Sequence, residues 1–332
     1  MKIPKKLSAI LLAAAIIMLT SCQTKRTYSN DITTLSDQAS STTVVDITKE
    51  TAVQAATVPA TTGLTAVSAT AAATTKTPAD PYKTALTYCV DTDRFSQQKN
   101  IYPASMTKFL TACTALKYVK PDAKFTVGSE QDMVQPESSL CLIQKGNVLT
   151  LYDLLTGLLL MSGNDAAYTI AVGTARQLRP NNKLSDKQAI AYFCELMNQT
   201  AKEIGMTDSR FETPDGWDSK NQYTTTADLL TLTKYAIKNP NIKKIISIKE
   251  TKVTFAAGGS ITWKNHIKLI DPKSPYYCKD FVGGKTGTTD SAGYCLISVF
   301  EKNSKEYIII VTGCKDDNSR CAATLDLYGR IK

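Results

Sequence analysis

Apolar positions fall into two regimes along the chain. Between residues 102 and 240 they recur at the spacing of amphipathic helices, and after residue 250 they close up into short strand-like runs. In YPASMTKFLTACTALKYV (102–119), Met106, Phe109, Leu110, Cys113 and Leu116 share one face, predicting a helix with one buried stripe. TLYDLLTGLLLM (150–161) predicts a second helix, with Thr150 and Asp153 placed as a capping box. Ser162-Gly163-Asn164 interrupts it, and DAAYTIAVGTARQL (165–178) resumes the helical pattern. SDKQAIAYFCELMNQTAKEIGM (185–206) reads as a helix capped by Ser185 and Gln188 and ended by Gly205. TTADLLTLTKYAIKNP (225–240) reads as the last helix, stopping before Pro240.

Strand patterns flank this region. KTALTYCVD (83–91) comes before it, followed by the turn residues TDRFSQQKN (92–100). After it come a hairpin around Gly258 and Gly259 (TKVTFAAGGSITWKN, 251–265) and three further strands, FVGGKTGTT, GYCLISVFEKN and KEYIIIVTGC. A short polar turn joins the last two, and SRCAATLDLYGRI (319–331) closes as a helix. A first strand and a final group of strands bracketing helices predict an α/β architecture. One antiparallel sheet carries helices, a mostly helical lobe stands beside it, and a cleft between the lobes is the expected site.

Composition removes the first eighty residues from this scheme. MKIPKK is basic, LSAILLAAAIIML is an apolar run too short for a typical spanning helix, and LTSC puts small residues before Cys22. The pattern predicts a secretory leader over 1–21, and LTSC resembles the bacterial lipobox. That resemblance implies cleavage before Cys22 and lipidation of its thiol. An uncleaved anchor, or a plain leader with an incidental cysteine, is the plainer reading. Residues 22–81 are Thr/Ala-rich with almost no large apolar side chains, which predicts a disordered tether. The folded domain is expected over 82–332.

The formal charge is +9, but the lysines are scattered and no basic run carries interleaved aromatics, so no nucleic-acid partner is expected. Besides Cys22 there are Cys89, Cys113, Cys141, Cys194, Cys278, Cys295, Cys314 and Cys321, widely spaced and without a CxxC or zinc-like pattern. Mostly free, buried thiols are expected, with Cys314 and Cys321 the one local pair placed to bridge. No metal site and no cofactor motif is found.

Three short motifs carry candidate chemistry. Ser105-Met-Thr-Lys108 is an S-x-x-K at a helix start, where residues three apart lie on one face and an amine can reach a hydroxyl. Lysine serves as a base only with a depressed pKa, and a helix N-terminus favours an alkoxide. A serine beside a solvated lysine is the plainer alternative. Ser162-Gly163-Asn164 puts a hydroxyl and an amide between apolar helices: a proton relay and an amide clamp, or a helix-breaking turn with Asn164 as N-cap. Lys285-Thr286-Gly287, in GGKTGTT, points Lys285 and Gly287 to one side of a strand and Thr286 to the other. It is either an edge for a peptide substrate or a glycine-rich hairpin with a solvated lysine.

The three motifs occur in order in a chain with an export signal, and in this combination the sequence resembles the serine-type D-alanyl-D-alanine carboxypeptidases, the low-molecular-mass penicillin-binding proteins. FCELMNQTAKEIGMTDSRFETPDGWD, TTADLLTLTKYAI, GGKTGTTDSAGYCL and VTGCKDDNSRCAATLDLYG are similar to successive segments of that family, so the resemblance covers about Tyr82 to the C-terminus. It implies a β-lactamase/transpeptidase-like fold. Ser105 is then the nucleophile and Lys108 its base. Ser162, with a lysine, protonates the leaving D-alanine, and Asn164 holds the peptide amide. Lys285, Thr286, Gly287 and Thr288 form the substrate strand and bind the terminal carboxylate. Backbone amides of Ser105 and Thr288 make the oxyanion hole, and Lys285 keeps Lys108 neutral by repulsion. The implied partners are a peptidoglycan stem peptide, β-lactams that acylate Ser105, and the outer face of the cell membrane through the N-terminal lipid.

Thr288 stands where many family members have histidine, which bears on substrate preference. Many members also carry a C-terminal β domain and an amphipathic anchor, whereas this chain stops at Lys332, and an N-terminal lipid would replace that anchor. His266, the single histidine, sits in WKNHIKLI with no neighbouring signal for a triad and is expected to be a surface or core residue. A class A-like β-lactamase needs a loop glutamate, for which Glu195, Glu203 and Glu212 are poor matches. A slowly turning over β-lactam or muropeptide sensor is the other alternative.

Overall fold

The computed structural model describes residues 82–89 as a backbone strand, and residues 101–256 and 258–331 in full. The expected leader, Cys22, the Thr/Ala-rich stretch and the turn TDRFSQQKN lie outside the described residues. In chain order the elements are β1 (Tyr82–Cys89), α1 (Thr107–Tyr118), β2 (Lys124–Thr126), β3 (Val148–Thr150), α2 (Leu151–Leu160), α3 (Asn164–Leu178), α4 (Asp186–Glu203), α5 (Thr226–Ala236), α6 (Pro240–Ile246), β4 (Glu250–Thr254), β5 (Ser260–Lys264), β6 (Phe281–Thr289), β7 (Gly293–Lys302), β8 (Lys305–Cys314) and α7 (Asp317–Gly329). Among the described residues no helix is long and apolar enough to cross a membrane.

Strand order in the main sheet is β1-β8-β7-β6. β6, β7 and β8 form an antiparallel meander. Asn303 (φ 53°) and Ser304 (φ 59°) turn β7 into β8, a two-residue connection whose left-handed residues match the strand twist. The outer strand departs from the expected pattern, because β1 runs parallel to β8. The whole helical region lies between these two strands in sequence, and so long a crossover permits parallel pairing.

Both faces of the sheet are covered, which explains why β7 and β8 are nearly continuous apolar runs. Cys295, Ile297, Val299, Ile308 and Ile310 join a core with α1 to α6 on one face. Leu296, Phe300, Ile309 and Val311 join a second core with Leu327 and Ile331 at the other face. Stacked Phe300 and Tyr328 rings, 4.4 Å apart, tie α7 to this second core.

The predicted caps are present at α2, where Thr150 and Asp153 bond reciprocally, and at α4, where Ser185 and Gln188 do the same. A cap of this kind stabilises a helix by about 1 kcal/mol. One helix escaped the sequence pattern. Pro240 does not end the helical region but opens α6 at its first turn, where a missing N–H costs nothing, and Asn239 caps it. Ile242, Ile245 and Ile246 bury its apolar side.

Candidate active site

Ser105 sits in a single 3₁₀ turn, Ala104–Met106, that leads directly into α1. The residue before it, Ala104, is held at φ 46°, a left-handed conformation unusual for a residue with a side chain. Two close approaches fix that turn. Gly216 at φ +89° packs so tightly that a Cβ there would lie 1.8 Å from the Ala104 carbonyl oxygen. A Cβ at Gly287 of β6 would meet the Ala104 side chain at 3.1 Å and Met106 at 3.3 Å. The glycine of the K-T-G strand therefore lets the segment that carries Ser105 come close.

One turn later, Lys108 is fully buried. Its Nζ lies 2.8 Å from Ser105 Oγ, 2.7 Å from Asn164 Oδ1 and 2.8 Å from the Asp215 carbonyl oxygen. Three acceptors match the three N–H bonds of an ammonium group. In the neutral amine a lone pair replaces one N–H, and the Ser105 hydroxyl becomes the donor across the same short distance. Burial lowers the Lys108 pKa from 10.5 to about 8, and the charges of Asp215 and Asp165, then Cys141, pull the other way. The solvated-lysine alternative is thereby removed.

Ser162 and Asn164 reach the same place from the α2–α3 junction. Ser162 takes the left-handed conformation, φ 57°, and Gly163 rather than Asn164 is the N-cap of α3. That leaves the buried Asn164 side chain available to Lys108, while the Asn164 backbone N–H donates to Ser139 O at 2.8 Å. Asp165 braces the junction by accepting the amides of Cys141 (3.0 Å) and Ile143 (3.2 Å). Trp263 of β5, itself fully buried, donates its indole N–H to Cys141 O at 2.8 Å and supports the segment from behind.

Lys285 points from β6 into the same interior, with Nζ 2.9 Å from Ser162 Oγ and 2.9 Å from Thr286 O. Burial first, and repulsion from Lys108 and Arg320 after it, hold its amine well below the usual lysine range. Burial is the leading influence on Lys108, ahead of the repulsion expected from Lys285. Thr286 is half-buried and Thr288 exposed, and Ser105 and Ser162 are half-buried.

Sequence reasoning missed Arg320. It projects from α7 toward the end of β6, with Nη1 3.1 Å from Thr288 Oγ1 and 3.3 Å from Cys295 O. Asp317 orients it through Nε at 2.8 Å, and Lys268 holds Asp317 at 2.7 Å. An arginine on a terminal amphipathic helix carries no local mark; only the packing of α7 on the sheet brings it to Thr288.

Other sequence candidates stay apart. His266 is exposed. Glu195 is exposed, Glu203 is bound to Lys117, and Glu212 accepts Asn221 Nδ2 at 2.9 Å and the Ser219 hydroxyl. Cys113, Cys141, Cys194, Cys278 and Cys321 are free thiols, so Cys321 forms no bridge to Cys314. Burial raises the Cys113 pKa to about 12, making it an inert apolar side chain. A cavity of about 540 Å³ beside Tyr102, Asp208, Lys220 and Tyr223 contains none of the motif residues. Among the described residues no cluster of three metal-ligating side chains occurs.

Residues 92–316 match the family model described as D-alanyl-D-alanine carboxypeptidase. The chain is 30% identical over 237 residues to D-alanyl-D-alanine carboxypeptidase DacD of Escherichia coli, covering 68% of this chain and 54% of that protein. It is also 30% identical over 215 residues to the D-alanyl-D-alanine carboxypeptidase of Streptomyces sp. K15, covering 61% of this chain and 69% of that protein. The crystal structure of the Streptomyces K15 DD-transpeptidase superposes with a TM-score of 0.61 at 26% identity, covering 70% of this chain and 88% of that one. The fold is thus of the β-lactamase/transpeptidase type. The chain spans about half the length of the curated relatives it matches from Escherichia coli, 52% of DacC and 54% of DacD.

Proposed function

This chain belongs to the D-alanyl-D-alanine carboxypeptidase family, and we propose that it is a serine-type carboxypeptidase removing the terminal D-alanine from peptidoglycan stem pentapeptides. The observation that carries the reading is the 2.8 Å contact between Lys108 Nζ and Ser105 Oγ, with the lysine buried. Lys108 takes the Ser105 proton as the oxygen attacks the carbonyl between the last two D-alanines. The backbone amides of Ser105 and Thr288 receive the oxyanion. Asn164 holds the peptide amide. Ser162, bonded to Lys285, passes a proton to the leaving D-alanine. The terminal carboxylate lies along Lys285, Thr286, Gly287 and Thr288, with Arg320 adding a permanent positive charge beside Thr288. Water then hydrolyses the acyl-enzyme, and β-lactams acylate the same serine.

The reading extends to location. The basic start, the apolar run and LTSC support an extracytoplasmic lipoprotein anchored through Cys22 to the outer face of the bacterial cell membrane. Residues 1–21 act as leader, 22–81 as tether and 82–332 as the catalytic domain in cell-wall synthesis.

The test incubates the full chain with a stem pentapeptide ending in D-Ala-D-Ala and follows free D-alanine, with the lifetime of a fluorescent penicillin adduct in parallel. D-Alanine release with a long-lived adduct is expected. Rapid penicillin turnover without D-alanine release would make the protein a β-lactamase, and a stable adduct without peptide turnover a sensor. Ser105→Ala should abolish labelling while His266→Ala leaves it intact; persistent labelling of the Ser105 variant refutes the nucleophile.

A further inference from the structure

Asp215 meets Lys108 through its carbonyl oxygen, yet it also buries a carboxylate, the residue being 1% exposed. Oδ1 accepts the Trp217 amide at 3.1 Å, and Oδ2 has no hydrogen-bond partner among the described residues. A buried carboxylate needs an opposing cation. The cation that feels its charge is Lys108, whose Nζ is bonded to the carbonyl oxygen of the same residue at 2.8 Å.

The other groups around Lys108 are differently committed. Ser105 lies on its own turn, and Asn164 and Asp165 come from the start of α3. Cys141 faces it from the segment before β3, and Lys285 from β6. Asp165 spends its oxygens on the amides of Cys141, Ile143 and Ala166. Tyr168 and Cys194, which also feel Asp215, are pushed upward by burial and remain uncharged near neutrality. Asp215 is therefore the carboxylate that keeps an uncommitted oxygen while its charge bears on Lys108.

We propose that the Asp215 carboxylate is a positioning residue for the base, stabilising the Lys108 ammonium that forms when Ser105 is deprotonated. This rests on the reading of Lys108 as the base. In the step, the Ser105 O–H bond breaks, an N–H bond forms on Lys108, and the serine oxygen's electron pair bonds the carbonyl carbon. Without a nearby anion the new ammonium pays the full desolvation penalty, and the proton is taken less readily.

Asp215→Asn removes the charge and keeps an oxygen for the Trp217 amide. Labelling of the full chain by a fluorescent penicillin is measured across pH. The acid limb should move down by about one pH unit or more, and the plateau should fall several-fold as the base weakens. A purely structural role lowers the plateau and leaves the limb in place, which overturns the proposal. Asp215→Ser is measured alongside in case the first variant does not fold. The unsubstituted protein gives an independent reading: the ¹³Cγ resonance of Asp215 should step at the pH of the labelling limb, and a resonance that ignores that pH overturns the proposal. If the unsubstituted protein is not labelled at all, the acyl-transfer reading itself falls, and this proposal with it. A labelled protein whose limb ignores Asp215 sinks only the latter.

Discussion

Lys108 from the helical side and Lys285 from the sheet are buried to nearly the same extent, 0% and 1% exposed, but their surroundings differ. Lys108 meets three oxygens and lies near the charges of Asp215 and Asp165. Lys285 meets two oxygens, and the charges acting on it are the cations Lys108 and Arg320. Desolvation lowers both amines; the carboxylates stop the fall of the first at about 8, and the cations deepen the fall of the second. Equal burial therefore yields two chemistries. Lys108 can gain and lose a proton near neutral pH, whereas Lys285 is suited to passing one through Ser162 until an incoming carboxylate adds negative charge beside it.

Removing the better-compensated lysine should have the largest effect. Lys108→Met is expected to slow penicillin labelling by about 10²–10⁴-fold, measured as a second-order rate; a loss under tenfold would move the base elsewhere. In the unsubstituted protein the same rate should rise as pH passes upward through about 8, because the neutral amine is the active form.

Lys285→Met comes next. D-Alanine release should fall by about 10²-fold, since Ser162 loses its partner. The labelling limb should stay within about half a pH unit, since burial leads the causes that depress Lys108. Loss of a repelling cation would raise the limb, so a climb of more than about one unit would restore Lys285 as the group that keeps Lys108 neutral. Arg320→Gln should have the smallest effect, raising KM for the peptide about tenfold, the equivalent of one charge-assisted hydrogen bond. A fall in kcat with KM unchanged would remove Arg320 from the carboxylate end of the site.

Different parts of this site were legible to different degrees. Ser105 and Lys108 are three residues apart on one turn, so local geometry alone brings them together. Ser162 and Asn164 showed as a polar break between apolar helices, but which of Gly163 and Asn164 would cap α3 is a backbone question that composition does not answer. α6 was hidden because proline reads as a stop unless the residue before it is known to cap. The direction of β1 was hidden as well, since an alternating strand carries no mark of its partner's orientation.

The sequence by itself determined the helical and strand regimes, the order of the three motifs and the family, because these depend on residue spacing within short windows. Tertiary structure decided the rest. It brought Arg320 to Thr288, set the Asp215 carbonyl against Lys108, and closed Gly216 and Gly287 over the Ser105 turn. The pKa of a lysine depends on how much water is excluded and which charges stand within a few ångströms, and those neighbours come from elements far apart in the chain. A sequence can therefore name the base, and only the fold makes it one.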